Sequence, residues 1–172
     1  MRRFAIFLLF LSTAIAANSQ DEVSRTNLGI GFGLDYGGIG GRFTVLPDSH
    51  FGLFAGAGYN FGGLGYNLGA QWRILPDKRA VPVIGFMYGY NAVLQVTDLY
   101  TNTTMTTTYY GTSLSLGVEL HSEGRPKNFF NLELVIPFRS QEFTDYYNYL
   151  KSIGASTTYS PVAFSVGYHF GF

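Results

Sequence analysis

The 172-residue chain contains no cysteine, so neither a disulfide nor a lipid-anchoring thiol can operate in it. Charged residues make up only 13% of the sequence, against roughly 25% in average soluble domains. The 11 basic and 11 acidic side chains balance, which leaves no basic excess for nucleic-acid binding. After the first residues, no apolar run reaches the roughly 20 residues that a spanning helix needs. These absences exclude a disulfide-stapled module and a helical membrane domain.

The first 20 residues are predicted to form a secretory signal peptide. A positive start with two arginines precedes the apolar run Phe4–Leu11, and Ser12–Ala16 ends in a small-residue cleavage pattern. The apolar run is too short to anchor the chain in a bilayer. Cleavage is expected after Ala16 or near Gln20. Residues 21–172 are then predicted to form one domain, because this length suits a single compact architecture.

Glycine and aromatic residues are abundant, with 22 Gly, 16 Phe and 13 Tyr, a mixture typical of short strands and tight turns. Apolar side chains recur at every second position through eight segments, the first of which is predicted to run from Leu28 to Tyr36. Short turn signals alternate with two longer connections, residues 98–108 and 144–161. The pattern predicts an all-β fold, an eight-stranded antiparallel up-and-down transmembrane β-barrel.

The alternation gives each strand one bulky apolar face and one small or polar face. A soluble ligand-binding barrel would turn the apolar face inward. That arrangement would overfill a lumen only just wide enough for side chains, so we expect the apolar face to meet lipid. Leu116→Arg on the lipid face should therefore be costly, whereas Gly117→Ser on the inward face should be mild. Aromatic residues near strand ends, Tyr36 among them, are expected in interfacial girdles, and Ala92 and Leu94 are expected on the lipid face.

The inward face carries six charged side chains that are expected to form a lumen network. They are three acids and three bases, Asp35, Arg42, Arg73, Glu119, Glu133 and Arg139. An isolated buried ion costs several kcal/mol, so these charges must pair or meet water. We therefore expect a lumen filled by ion pairs and hydrogen bonds, without a wide pore. The alternative role for the same charges is a selectivity path.

No catalytic, cofactor-binding or metal-binding site is predicted. The three histidines, His50, His121 and His169, are far apart and lack ligand spacing. The segment His121-Ser122-Glu123 has the residue types of an acyl-transfer relay, but adjacent residues on a strand point to opposite faces. We therefore expect that the protein is not an enzyme and needs no cofactor.

The closing segment Tyr168-His169-Phe170-Gly171-Phe172, with the signal peptide and the eight amphipathic strands, resembles the small outer-membrane β-barrel superfamily. This group includes the OmpA transmembrane domain, OmpX, OmpW and PagP. The resemblance covers essentially the whole mature chain and implies a bacterial outer-membrane location more strongly than any activity. It also implies contact with outer-membrane lipid, lipopolysaccharide and the barrel assembly machinery. Five alternate residues resemble the C-terminal signal that this machinery recognises, namely Phe164, Val166, Tyr168, Phe170 and Phe172.

The two long connections are candidate sites for surface contacts. The β-prone segment around Thr103 and Thr104 is predicted to extend the fifth and sixth strands as a hairpin, which resembles the protruding sheet of OmpX. An exposed strand edge can bind a protein partner by strand addition, although a stiff inert loop fits the same sequence. In the second connection, Tyr146, Tyr147 and Tyr149 form an amphipathic cluster suited to lipopolysaccharide, a partner or only the barrel rim.

Three functional hypotheses follow from the sequence. The leading one is an integral outer-membrane barrel with a side-chain-filled lumen, which has a structural or surface-interaction role through its extracellular loops. The alternative is a narrow OmpW-like conduit for small or apolar molecules, suggested by the many small inward residues. The third is a lipid A-modifying enzyme, which the failed relay geometry disfavours.

Overall fold

A computed structural model describes residues 25–60, 62–98, 103–124, 127–153 and 160–172. The predicted signal peptide, residues 1–20, lies outside the described residues, so its cleavage stays a prediction. Among the described residues, no helix has the length and apolar character needed to cross a bilayer.

Eight antiparallel strands form one closed sheet, in which each strand pairs with its sequence neighbours and the last pairs with the first. The predicted all-β, eight-stranded up-and-down barrel is thereby confirmed. The strands are β1 Thr26–Gly33, β2 Gly38–Val45, β3 Phe51–Tyr59, β4 Leu64–Arg73, β5 Ala80–Asp98, β6 Thr103–His121, β7 Phe129–Pro137 and β8 Ala163–Gly171.

Side chains alternate between the interior and the outer surface because successive residues of a strand point to opposite faces. In β3, for example, Gly52 and Phe54 are buried while Leu53 and Ala55 are exposed. The outer surface carries large apolar side chains on every strand, including Ile30, Phe43, Leu53, Leu68, Phe86, Leu116, Leu132 and Phe164. The interior holds most of the buried charged and amide side chains. This distribution is the reverse of that in a soluble globular domain.

The barrel has two distinct ends. At the terminal end, the backbone N–H of Phe172 donates to the Thr26 carbonyl at 3.1 Å. At the opposite end, the ribbon end, β5 and β6 continue beyond the barrel wall, because β4 pairs with β5 only as far as Gly89 and β7 pairs with β6 only from Ser113. We call residues 92–98 and 103–110, which pair with each other, the ribbon.

A β-bulge resets the alternation where the ribbon begins. The pairing between β5 and β6 shifts between Tyr90 and Ala92, so Asn91 is an extra residue on β5. Ala92 and Leu94 are consequently buried, and their predicted place on the outer face with Tyr88 is wrong.

The connection between β7 and β8 contains a helix, α1, Gln141–Ser152. The Ser140 hydroxyl accepts a hydrogen bond from the Phe143 N–H at 3.2 Å, which caps the first turn. Glu142 in the first turn and Lys151 in the last turn both suit the helix dipole. The helix was not predicted, since the sequence analysis treated this segment as a loop.

Helix α1 and the β3–β4 turn contact opposite faces of the ribbon. Phe143 of α1 packs in a buried cluster with Ala92, Leu94 and Tyr109. On the other face, the Asn60 amide nitrogen lies 3.4 Å from the Thr108 hydroxyl. Contacts with α1 on one face and with the β3–β4 turn on the other therefore support the ribbon close to the barrel wall.

Candidate functional site

The connection between β1 and β2 folds into the barrel. Its four residues, Leu34–Gly37, are buried, and Tyr36 has no exposed surface. The sequence placed Tyr36 in an outer aromatic girdle, which is wrong, because β1 ends at Gly33 and the chain then turns toward the lumen. We call Leu34–Gly37 the inward turn.

Glycine makes the inward turn possible. Gly33, Gly37 and Gly38 have φ values of 145°, 70° and 113°, a region that favours glycine. The wall beside the turn is also glycine, and a Cβ on Gly56 would lie 1.9 Å from the Asp35 carbonyl oxygen. A Cβ on any of five further wall glycines would also approach the turn too closely, namely Gly31, Gly40, Gly58, Gly65 and Gly167. These glycines come from β1, β2, β3, β4 and β8, so five strands enclose the turn.

Three polar contacts hold the inward turn in the lumen. The Asp35 Oδ2 accepts a charge-assisted hydrogen bond from Arg42 Nη1 at 2.6 Å. The Tyr36 hydroxyl lies 2.6 Å from His169 Nε2. The Asn67 side-chain amide donates to the Leu34 carbonyl at 2.6 Å. Each contact comes from a different strand, so the turn links β2, β4 and β8.

His169 is fixed through both ring nitrogens. Its Nδ1 lies 2.7 Å from the Asn27 Oδ1, and its Nε2 meets Tyr36. The Phe129 ring stacks on the imidazole with 4.6 Å between centroids and 6° between planes. The alternation of the last strand puts His169 on the inward face, and the structure adds its partners Tyr36, Asn27 and Phe129, which the sequence pattern does not identify.

Arg42 is the centre of the buried charge network. Its Nη1 contacts Glu133 Oε1 at 2.8 Å as well as Asp35, and its Nη2 donates to Gln71. The guanidinium also lies 3.9 Å from the centre of the Phe54 ring. Two carboxylates thus share one guanidinium, which leaves one net negative charge when both are ionised.

A second ion pair lies toward the terminal end. Arg73 Nε donates to Glu119 Oε2 at 2.8 Å, and Gln71 Nε2 donates to Glu119 Oε1 at 2.9 Å. Because Gln71 also accepts from Arg42, the two ion-pair clusters form one continuous network. Five of the six predicted lumen charges are brought together in this way.

Arg139, the sixth predicted lumen charge, lies at the ribbon end. Its Nη1 donates to the carbonyl oxygen of Asn91 and to its Oδ1, the latter at 3.1 Å. Its guanidinium also lies 5.2 Å from the centre of the Phe143 ring. Arg139 therefore contacts both the bulge at Asn91 and Phe143 in the first turn of α1.

The lumen is less polar than predicted, because it holds apolar side chains besides ion pairs and hydrogen bonds. Leu34, Phe54, Met87 and Val135 form a buried apolar cluster inside the barrel. Glycines are also packed closely, since a Cβ on Gly117 would lie 2.5 Å from Glu133 Cγ. The expected mild effect of Gly117→Ser is therefore wrong, because the added side chain would clash.

The other predicted site residues lie on the surface or in the ribbon. The outward residues of β8 include Phe164, Val166 and Phe170, all exposed, and the partly buried Tyr168, and the exposed Phe172 follows the strand. Thr103 and Thr104 begin β6, where their backbones pair with Asp98 and Thr97. In α1, Tyr146 and Tyr147 pack against the buried cluster, whereas Tyr149 is 58% exposed. Only Tyr149 of the three tyrosines is thus well placed for an external contact.

Metal binding and acyl transfer both depend on how histidines and carboxylates are grouped. No three His, Asp, Glu or Cys residues among those described come together as a metal site. The segment 121–123 is split, since His121 lies 3.4 Å from Glu119 while Glu123 pairs with Arg79. The arrangement supports packing and charge pairing.

No family model matches the chain, and no curated protein matches it. Among solved structures, it is similar to the N-terminal β-barrel domain of OprF from Pseudomonas aeruginosa, with a TM-score of 0.55 and 10% sequence identity. The match covers 87% of this chain and 98% of that chain. At this identity the likeness concerns the fold alone. The chain therefore has the fold of the OprF barrel domain.

Proposed function

We propose that the protein is an integral barrel of a bacterial outer membrane, with a filled lumen and a structural or surface-interaction role. The observation that carries the proposal is the apolar outer surface around a charged interior. In water, exposed apolar patches of this extent are unfavourable and prone to association. In a bilayer, the same surface suits the acyl chains, and the closed sheet satisfies every strand edge within the wall.

The interior supports the filled-lumen form of the proposal. Ion pairs, an apolar cluster and the inward turn occupy the space inside the eight strands. A barrel of this size has an interior only just wide enough for side chains. This packing favours the structural role over the narrow conduit, and the proposal includes no catalytic step.

The two ends of the barrel are assigned to the two sides of the membrane. The terminal end is placed in the periplasm, as in bacterial barrels with short periplasmic turns, and the ribbon end faces the outside. The outward residues of β8, from Phe164 to Phe172, would then meet the barrel assembly machinery during insertion. Lipid and lipopolysaccharide would surround the folded barrel.

The surface-interaction role rests on the ribbon and α1. Within the described strands, Ala92–Asp98 and Thr103–Tyr110 pair with each other and leave an outer edge on each side. Open backbone edges of this kind accept an extended segment of another protein by strand addition. Tyr149 on α1 adds an exposed amphipathic side chain beside the ribbon.

A matched pair of arginine substitutions tests the membrane location. Leu116 lies on the outer face in the middle of β6 and is 46% exposed, whereas Leu75 lies in the β4–β5 turn and is 50% exposed. In a bilayer, Leu116→Arg should cost roughly 2 to 4 kcal/mol of unfolding free energy, because a charge then enters the hydrocarbon layer. Leu75→Arg should cost at most about 1 kcal/mol, as is usual near an interface. Urea unfolding in lipid vesicles measures both.

The two leucines are equally exposed, so a water-soluble barrel would tolerate both arginines to the same degree. Equal, small effects at Leu116 and Leu75 would contradict the proposal. Leu116→Ala serves as a control for the lost apolar contacts, and its cost should lie well below that of Leu116→Arg.

A further inference from the structure

The inward turn is not required by the hairpin that contains it. Residues 34–37 connect two adjacent antiparallel strands, and a connection of four residues ordinarily projects from the end of a barrel. Here the glycines of β3, β4 and β8 provide space for it, although these strands take no part in that hairpin. The interior is therefore shaped around the turn.

The turn covers polar groups that belong to the wall. A Cβ on Gly33, the residue before the turn, would lie 2.0 Å from the Ser165 hydroxyl oxygen, so Ser165 on β8 lies beside the start of the turn. Ser165, Arg42, Asn67 and His169 are all buried. Without the turn, these side chains would line the lumen together with glycines of the wall, with Arg42 and His169 at the level of Gly29, toward the terminal end.

The wall groups that hold the turn keep other partners. Arg42 has Glu133 and Gln71 besides Asp35, and His169 has Asn27 besides Tyr36. Arg42 would therefore still have a carboxylate partner, Glu133, if the turn withdrew. Gly33, Gly37 and Gly38 at the two shoulders give the backbone the freedom to move the turn as a unit.

We propose that the inward turn is a removable plug, which closes a glycine-walled cavity that would otherwise open at the ribbon end. The plug is held by polar side-chain contacts from three strands, by the packing of Leu34 in the apolar cluster inside the barrel, and by shape, without a covalent link. Its withdrawal exposes the wall from Ser165 to Arg42 and leaves the Arg73–Glu119 cluster at the terminal end in place.

A single cysteine reports the position of the plug. The chain contains no cysteine, so Ser165→Cys introduces the one reactive thiol with a change of a single atom. A polar maleimide applied to the folded protein in detergent should react slowly with it, because a buried group reacts only through opening. Ser122→Cys in the exposed β6–β7 turn should react at the rate of a free thiol.

A glycine substitution expels the plug without altering it. Gly56→Ala places a methyl group against the Asp35 backbone, whereas Gly41→Ala places one in ordinary van der Waals contact, with its nearest neighbour 3.6 Å away. In the Ser165→Cys background, Gly56→Ala should raise the labelling rate on the order of 100-fold. Gly41→Ala should leave the rate unchanged.

Two results would overturn the plug. One is rapid labelling of Ser165→Cys with the turn intact, and the other is unchanged protection in a folded Gly56→Ala protein. If Gly56→Ala does not fold, the pair Asp35→Gly and Tyr36→Gly removes the anchoring side chains with no steric demand, and the same 100-fold increase is expected. The measurement is made in detergent, so its failure is distinct from failure of the membrane proposal.

Discussion

The carboxyl group of Asp35 has a defined energetic role in the lumen. It shares Arg42 with Glu133, so three groups carry two negative charges and one positive charge. Such a cluster is stabilised when one acid takes up a proton.

Helix α1 is attached to the ribbon through one apolar face. Phe143 is buried at the centre of this face among Ala92, Leu94 and Tyr109, and Leu150 is buried as well, while most other residues of the helix are exposed. Phe143→Ala should therefore release the helix, at a cost of about 3 to 5 kcal/mol for this attachment. The strands of the barrel wall do not depend on it.

Limited chymotrypsin digestion measures the attachment of α1. In Phe143→Ala, cleavage should become rapid at Tyr146 and Tyr147, while the remaining barrel stays resistant. Tyr149→Ala, at an exposed position of the same helix, should digest like the wild type. Loss of the whole barrel in Phe143→Ala would show that α1 is integral to the wall.

The strands were predictable because apolar side chains recur at every second position. The inward turn and α1 were not predicted. Leu34, Asp35 and Tyr36 continue the alternation of β1, so the pattern extended the strand through the inward turn. The signal for the turn was the group of glycines around it. For α1, the spacing of Phe143, Tyr147 and Leu150 after the Ser140 cap is helical, and it was available in the sequence.

The positions of the lumen charges followed from the same alternation, but their partners did not. The pattern puts Arg42, Glu133 and Glu119 on the inward face, and the structure brings them into one network. Arg139 has the same parity and lies elsewhere, because its neighbours Asn91 and Phe143 are positioned by a bulge and a helix. The alternation of apolar and polar residues does not predict the bulge or the helix.

As a whole, the barrel is closed at two levels. The inward turn fills the lumen from the ribbon end as far as Arg42, and Gln71, Arg73 and Glu119 cross it nearer the terminal end. The wild type should therefore show negligible conductance in planar bilayers. Gly56→Ala alone should also remain closed, and Arg73→Ala added to it should produce a steady leak.

Leu116→Ala, a substitution on the outer face, is the control for bilayer damage and should not conduct. Stable, reproducible channel steps from the wild type would contradict the filled lumen and favour the narrow conduit. A leak from Gly56→Ala alone would mean that the Arg73–Glu119 pair does not seal the terminal half.

The length of the ribbon separates its far end from the charges in the lumen. Ala92–Asp98 spans seven residues, and at about 3.3 Å per residue its contour length is roughly 23 Å. Physiological salt screens charges over about 8 Å, so the far end of the ribbon lies almost three screening lengths along the chain from the bulge. The charges in the lumen then contribute almost nothing to the electric field that an approaching molecule meets at the tip. Recognition at the tip and charge pairing within the wall can therefore change independently of each other.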